Sequence, residues 1–202
     1  MTNYSSGEDM EHNPNIGSLG VDSKKLGMWS FIGSEVMFFT ALIATYLVFR
    51  GKSVAAPYPA DVFHDLTIVA LNTLVLLCSS LTMVLTLEAA ERHERKQFFQ
   101  WILSTIVLGV LFLGVQVYEY AKLIEEGLNL GVNIFGSSFF TLTGFHGTHV
   151  AVGVLMLAIT AVRGYRMGFT KEFPLAVELI GLYWHFVDLV WVIIFTLVYL
   201  LS

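Results

Sequence analysis

Five long apolar stretches decide what this chain can fold into: Gly27–Phe49, Leu66–Leu87, Phe98–Tyr118, Ser137–Val162 and Glu178–Leu201. Each is long enough, at about 1.5 Å of rise per residue, to carry a helix across roughly 30 Å of hydrocarbon. A strand would need only about ten alternating residues, and no such alternation is present. The mean hydropathy of +0.70 excludes a water-soluble domain of ordinary composition. The expected fold is therefore an all-α bundle of five transmembrane helices spanning residues 27–202, preceded by a polar N-terminal tail over residues 1–26. That tail lacks the basic leader and short apolar core of a secretory signal.

Lys and Arg in the loops predict the orientation. Lys24, Lys25, Arg92, Arg95, Lys96, Arg163, Arg166 and Lys171 fall on one side, against Arg50, Lys52 and Lys122 on the other. The positive-inside rule puts the N-terminus in the cytoplasm and the C-terminus outside, as an odd number of spans requires. The short loops predict that consecutive spans pack as antiparallel neighbours. The net acidic charge carries no signal for nucleic acid. Cys78, the sole cysteine, forms no internal disulfide and is expected to be an inert buried thiol.

Polar groups inside the spans are the candidate functional residues, because burying them in lipid is costly. Glu35 stands about eight residues into the first span, where a carboxyl must be protonated, paired or wetted. His146 and His149 are three apart and share a side of the fourth span. Thr143, Gly147 and Ala151 form a stripe of small residues that lets helices approach closely. A haem or metal reading of the two histidines needs more donors than a pair supplies, so an interhelical hydrogen-bond network is favoured.

In the fifth span Glu178, Gly181, His185 and Asp188 share a face, with Trp184 and Trp191 beside them. His185 is placed to bond Asp188 across one turn. The stripe reads equally as helix–helix glue or as a groove facing protons or lipid headgroups. Glu119, near the end of the third span, is expected close to the outer surface and wet. Asn72, Thr73, Ser79, Ser80 and Thr82 read as interhelical donors. Glu91–Lys96 reads as a solvated loop. No phosphate loop, dinucleotide turn or Cys-x-x-Cys-His is present, so nothing composes a self-sufficient active site.

Five motifs, in order, carry a family resemblance: G-S-E-V-M-F-F-T (33–40), L-N-T (71–73), Q-V-Y-E-Y (116–120), T-G-F-H-G-T-H-V (143–150) and Y-W-H-F-V-D-L-V-W (183–191). Together they closely resemble subunit III of the haem-copper terminal oxidases, the cytochrome c and quinol oxidases of aerobic respiration. The family's proline before L-N-T is absent; Ala70 stands there. Longer members have seven helices, and this chain resembles the short five-helix form.

The resemblance implies a supporting role in a bacterial cytoplasmic membrane. Such a subunit is not itself catalytic, packs on subunit I in a complex that includes subunit II, holds phospholipid, and sustains proton uptake and stability. Haem and copper belong to the partners, with no cofactor or metal in this chain. Glu35 matches the family's embedded glutamate, which reacts with a hydrophobic carbodiimide; His146, His149, Trp184, His185, Asp188 and Glu119 lie in the other motifs and are expected, from their own placement, to form an intramembrane polar network or to face lipid. Three other readings stay open: an accessory subunit of a nitric oxide reductase, a stand-alone proton-coupled transporter, and a di-haem membrane cytochrome.

Overall fold

A computed structural model describes residues 22–50, 66–128, 130–131 and 133–201. Five helices account for nearly all of them: α1 (Ser23–Phe49), α2 (Leu66–Glu91), α3 (Arg95–Glu125), α4 (Ile134–Met167) and α5 (Phe173–Phe195), the last running into a π-helical turn at Thr196–Leu200. No strand forms among the described residues. All five are long and apolar enough to cross a membrane. Most of the polar tail, the segment 51–65 with Lys52, and Ser202 lie outside the described residues.

The helices outrun the apolar stretches. α4 has 34 residues, about 51 Å of helix, so its ends extend beyond the hydrocarbon layer. Local chemistry sets several ends. Asp22 caps α1 by accepting from the Lys24 N–H at 2.8 Å, and Asn133 caps α4 by accepting from the Gly136 N–H at 2.7 Å. α3 stops where Gly127 takes φ +92°, with Leu128 N–H bonded to Leu123 O and Gly127 N–H to Ile124 O. α2 ends in the same motif, but with His93 at φ +58° in the left-handed position that glycine usually fills.

α2, α3, α4 and α5 form a four-helix ring, each packed on its two neighbours, with α2 diagonal to α4 and α3 diagonal to α5. α1 packs outside the ring against α4 and α5. This departs from the expectation that every consecutive pair would be neighbours: α1 does not pair with α2. The reason lies in the two buried faces. α2 buries Val69, Asn72, Thr73, Leu76, Ser79 and Met83, and its main contacts are with α3 and α5. α1 buries only Ile32, Phe39 and Tyr46, a narrow stripe at spacing seven that fits the α4–α5 groove. The rest of α1 is apolar and exposed, including Trp29, Val36 and Met37. Exposed large apolar side chains on every helix, around an equally apolar core, fit lipid as the surrounding solvent. Cys78 is exposed on this outer surface, against the expectation of a buried thiol, because the inner face of α2 is taken by its neighbours on either side.

At one end, Lys24 meets Glu172 at 2.9 Å and Lys25 meets Glu178 at 2.6 Å, tying α1 to α5. At the other, the Arg50 guanidinium donates to the Leu197 carbonyl at 3.2 Å. That bond supplies a donor to the backbone where α5 has slipped out of its α-helical register.

Candidate functional site

Glu35 on α1 and His149 on α4 meet inside the spans, with Glu35 Oε2 and His149 Nε2 3.2 Å apart. Both side chains are largely buried. The hydrogen bonding fixes the imidazole. His149 Nδ1 lies 2.7 Å from the Phe145 carbonyl, which only accepts, so Nδ1 carries a proton. Nε2 and Oε2 then share one further proton, because two bare lone pairs at that distance would repel. Neutral acid with neutral imidazole, or carboxylate with imidazolium, are the two arrangements, and both have zero net charge. Charge neutrality is what lets the pair sit in the membrane.

Aromatic rings wall the pair in. Phe39 stands edge-on to His149 with centroids 4.9 Å apart, and the Tyr183 hydroxyl donates to the His149 carbonyl at 3.0 Å. Tyr183 belongs to α5, so three helices converge here. Spacing on one helix cannot show this: Tyr183 opens the fifth motif, but nothing in its place there points to α4.

His146 takes a different environment from His149. It is fully buried, stacked on Trp191 at 4.9 Å and edge-on to Phe112 at 6.0 Å. Neither ring nitrogen has a hydrogen-bond partner among the described residues. The pair expected to form one network is thus divided between a charge-neutral α1–α4 contact and an aromatic box.

A seam of hydrogen bonds joins α2 to α5. Trp184 Nε1 donates to Ser79 Oγ and Trp191 Nε1 to Thr73 Oγ1, both at 3.0 Å. The Ser79 and Thr73 hydroxyls donate back to their own helix, at Leu76 O and Val69 O, which leaves their oxygens free to accept. These residues serve as acceptors toward the neighbouring helix rather than as the donors expected of them. His185 Nδ1 pairs with Ser80 Oγ at 2.6 Å. The expected one-turn bond from His185 to Asp188 does not form, because the α2 hydroxyl offers His185 a partner across the helix interface. Asp188 is buried in the same seam, faces Ser80, and has neither oxygen in a hydrogen bond of good geometry.

Trp184 is the steric centre. A Cβ built on Gly109 of α3 or on Gly153 of α4 would lie 2.8 Å from its ring. The indole therefore fills a slot between two helices that only glycine leaves open. Gly147 similarly faces the Gln116 side chain, while Ala151, the third member of the predicted stripe, is exposed. Toward the C-terminal end of α3, Gln116 donates to Thr143 O at 3.0 Å and the Tyr120 hydroxyl to Thr143 Oγ1 at 2.7 Å. Glu119 is half-buried beside them on α3, with Lys122 its nearby opposite charge. Glu178 faces Lys25, not the seam. No group of three or more His, Cys, Asp or Glu side chains suited to a metal ion occurs among the described residues.

A family model described as cytochrome c oxidase subunit III matches residues 11–202. The chain belongs to that family. It is 37% identical over 180 residues to the cytochrome c oxidase subunit 3 of Bacillus sp. strain PS3, covering 89% of this chain and 86% of that one. It is 37% identical over 190 residues to the corresponding protein of Alkalihalophilus pseudofirmus, covering 94% and 92%. It is also 34% identical over 193 residues to the quinol oxidase subunit 3 of Bacillus spizizenii, covering 96% and 92%. A subunit III of this family is part of a respiratory enzyme complex with other oxidase subunits. The relatives carry both donor names, so family membership alone does not choose between cytochrome c and quinol.

Proposed function

We propose that this chain is a non-catalytic subunit III that packs on the haem-bearing subunit of a proton-pumping oxidase, holds phospholipid there, and sustains proton uptake and stability. It lies in a bacterial cytoplasmic membrane with its N-terminus in the cytoplasm, alongside subunit II. Haem and copper reside in the partners, and this chain holds neither.

The observation that carries the reading is the Glu35–His149 contact. The one acid deep in α1 is neutralised by a side chain of the neighbouring helix and walled by aromatic rings. That arrangement suits a fastener that holds α1 on the ring, with the acid of α1 tied up in the contact.

Lipid binding has support in two adjoining features. A pocket lined by Lys24, Arg163, Thr170, Lys171 and Glu172 gathers three cations at one end of the bundle. One turn along α1, an apolar groove is lined by Met28, Phe31, Val152, Met156 and Tyr183, with His149 at its edge. A charged pocket above an apolar groove matches an anionic headgroup above its acyl chain.

The test is purification by a tag on this chain. The expected result is co-purification of a haem-bearing subunit with oxygen uptake, and a colourless product once the chain is stripped of its partners. Catalytic turnover, or substrate-driven proton flux in liposomes holding this chain alone, would overturn the proposal. Recovery with a nitric oxide reductase would replace the partner assigned here.

A further inference from the structure

Besides Asp188, three buried polar side chains of the α2–α5 ring carry atoms that no described residue satisfies: Asn72 Oδ1, Gln116 Oε1 and both ring nitrogens of His146. They are 3%, 5% and 0% exposed, so neither lipid nor a partner subunit reaches them from outside. Their chemical identity is settled by the bonds they do make. Asn72 Nδ2 donates to the Phe112 carbonyl at 3.2 Å and Gln116 Nε2 to the Thr143 carbonyl at 3.0 Å. Flipping either amide would set oxygen against oxygen, so the unsatisfied atoms are acceptors.

The same contacts place the three groups within one turn of each other. Asn72 is level with Phe112 through its hydrogen bond, and Gln116 is the next turn of α3 outward. Thr143 is level with Gln116, and His146 follows it by one turn on α4, which runs the opposite way, so His146 returns to the level of Phe112. Phe112 and Trp191 touch edge-to-face at 4.9 Å across the α3–α5 diagonal, which marks this level as the axis of the ring. The Trp191 N–H is already committed to Thr73.

We propose that ordered water occupies the ring axis at the level of Phe112 and bridges Asn72 Oδ1, Gln116 Oε1 and the His146 imidazole. Two acceptors and a neutral imidazole, with one N–H and one lone pair, need a small molecule that both donates and accepts; water does both. A cation is disfavoured because no carboxylate joins the set. Asp188, one turn along α5 from Trp191, faces Ser80 on α2. The bridge links α2 to α4, the diagonal pair that makes little direct contact. It also accounts for a histidine inside an aromatic box, where phenylalanine would otherwise serve.

Radiolytic footprinting in ¹⁸O-labelled water tests this on the chain in its purified assembly, because activated water oxidises the side chains it touches. Phe112 and Trp191 are 0% and 1% exposed, and Phe98, which is 0% exposed within a cluster of aromatic rings, is the control. The expected labelling at Phe112 or Trp191 exceeds that at Phe98 by about fivefold or more, as a resident water requires. Equal labelling at all three would overturn the proposal. Asn72→Leu should lower the excess, and a density map of the unaltered assembly covers the case in which that variant fails to fold. Peaks within hydrogen-bond distance of at least two of the three groups support the site; an ion there, or a dry axis with His146 turned onto a protein partner, refutes it.

Discussion

The ring of Trp184 occupies the space beside Gly153 so closely that a single methyl group on that glycine would lie 2.8 Å from two of its atoms. Gly109 approaches the same ring from α3. Gly153→Ala and Gly109→Ala are therefore expected to destabilise the bundle by about 1–3 kcal/mol each through overpacking. Gly33→Ala and Gly114→Ala meet nothing within 4 Å and should be neutral or slightly stabilising in mid-helix. Thermal unfolding in detergent of the four variants, side by side, checks this; equal melting temperatures would contradict it.

The indole donors give a second expectation. Thr73→Val and Ser79→Ala remove the acceptors of Trp191 and Trp184, leaving a buried N–H unpaired. Each should cost about 1–3 kcal/mol, with Thr73→Ser close to wild type because it keeps the oxygen. Indole ultraviolet resonance Raman spectra, which report N–H hydrogen bonding, should show the corresponding band shift in the first two variants only.

Replacement within the α1–α4 pair should be asymmetric. Glu35→Gln keeps a donor for His149 Nε2 and should spare assembly, changing stability by less than about 1 kcal/mol. His149→Phe strands the acid in an aromatic setting and should be worse by roughly 1–3 kcal/mol. Yield of intact assembly and its melting temperature measure both. If Glu35→Gln alone abolished assembly, the carboxyl would have a role beyond the shared proton.

The proposed lipid pocket predicts a charge effect. Replacing Lys24, Arg163 and Lys171 together by Gln should reduce co-purified anionic phospholipid, read by mass spectrometry, by about half or more, given roughly 1 kcal/mol per cation near an anionic headgroup. Loss of zwitterionic lipid to the same extent would point to the apolar groove as the main determinant.

Hydropathy is a local property, so the five spans and their order read directly from the chain. Their ends do not: α3 continues to Glu125 and α4 to Met167, because capping and turn chemistry stop a helix after its apolar run has ended. The packing of α1 away from α2 is equally hidden, since loop length constrains which helices can be neighbours and the shapes of the buried faces decide which are. His185 bonds Ser80 instead of Asp188 for a similar reason: a one-turn spacing permits a contact, but a hydroxyl on the adjacent helix competes for it.

Five spans, and the places of the acids, imidazoles and glycines along them, are legible in the chain alone. Periodicity places those groups on a face, and lipid makes their burial costly. Which faces meet emerges from the packed bundle: Glu35 with His149, Trp184 between Gly109 and Gly153, and His146 beside Trp191. The physical reason is that a helix specifies its own side-chain directions to within a turn, whereas its rotation and neighbours are fixed by close packing of all five helices at once.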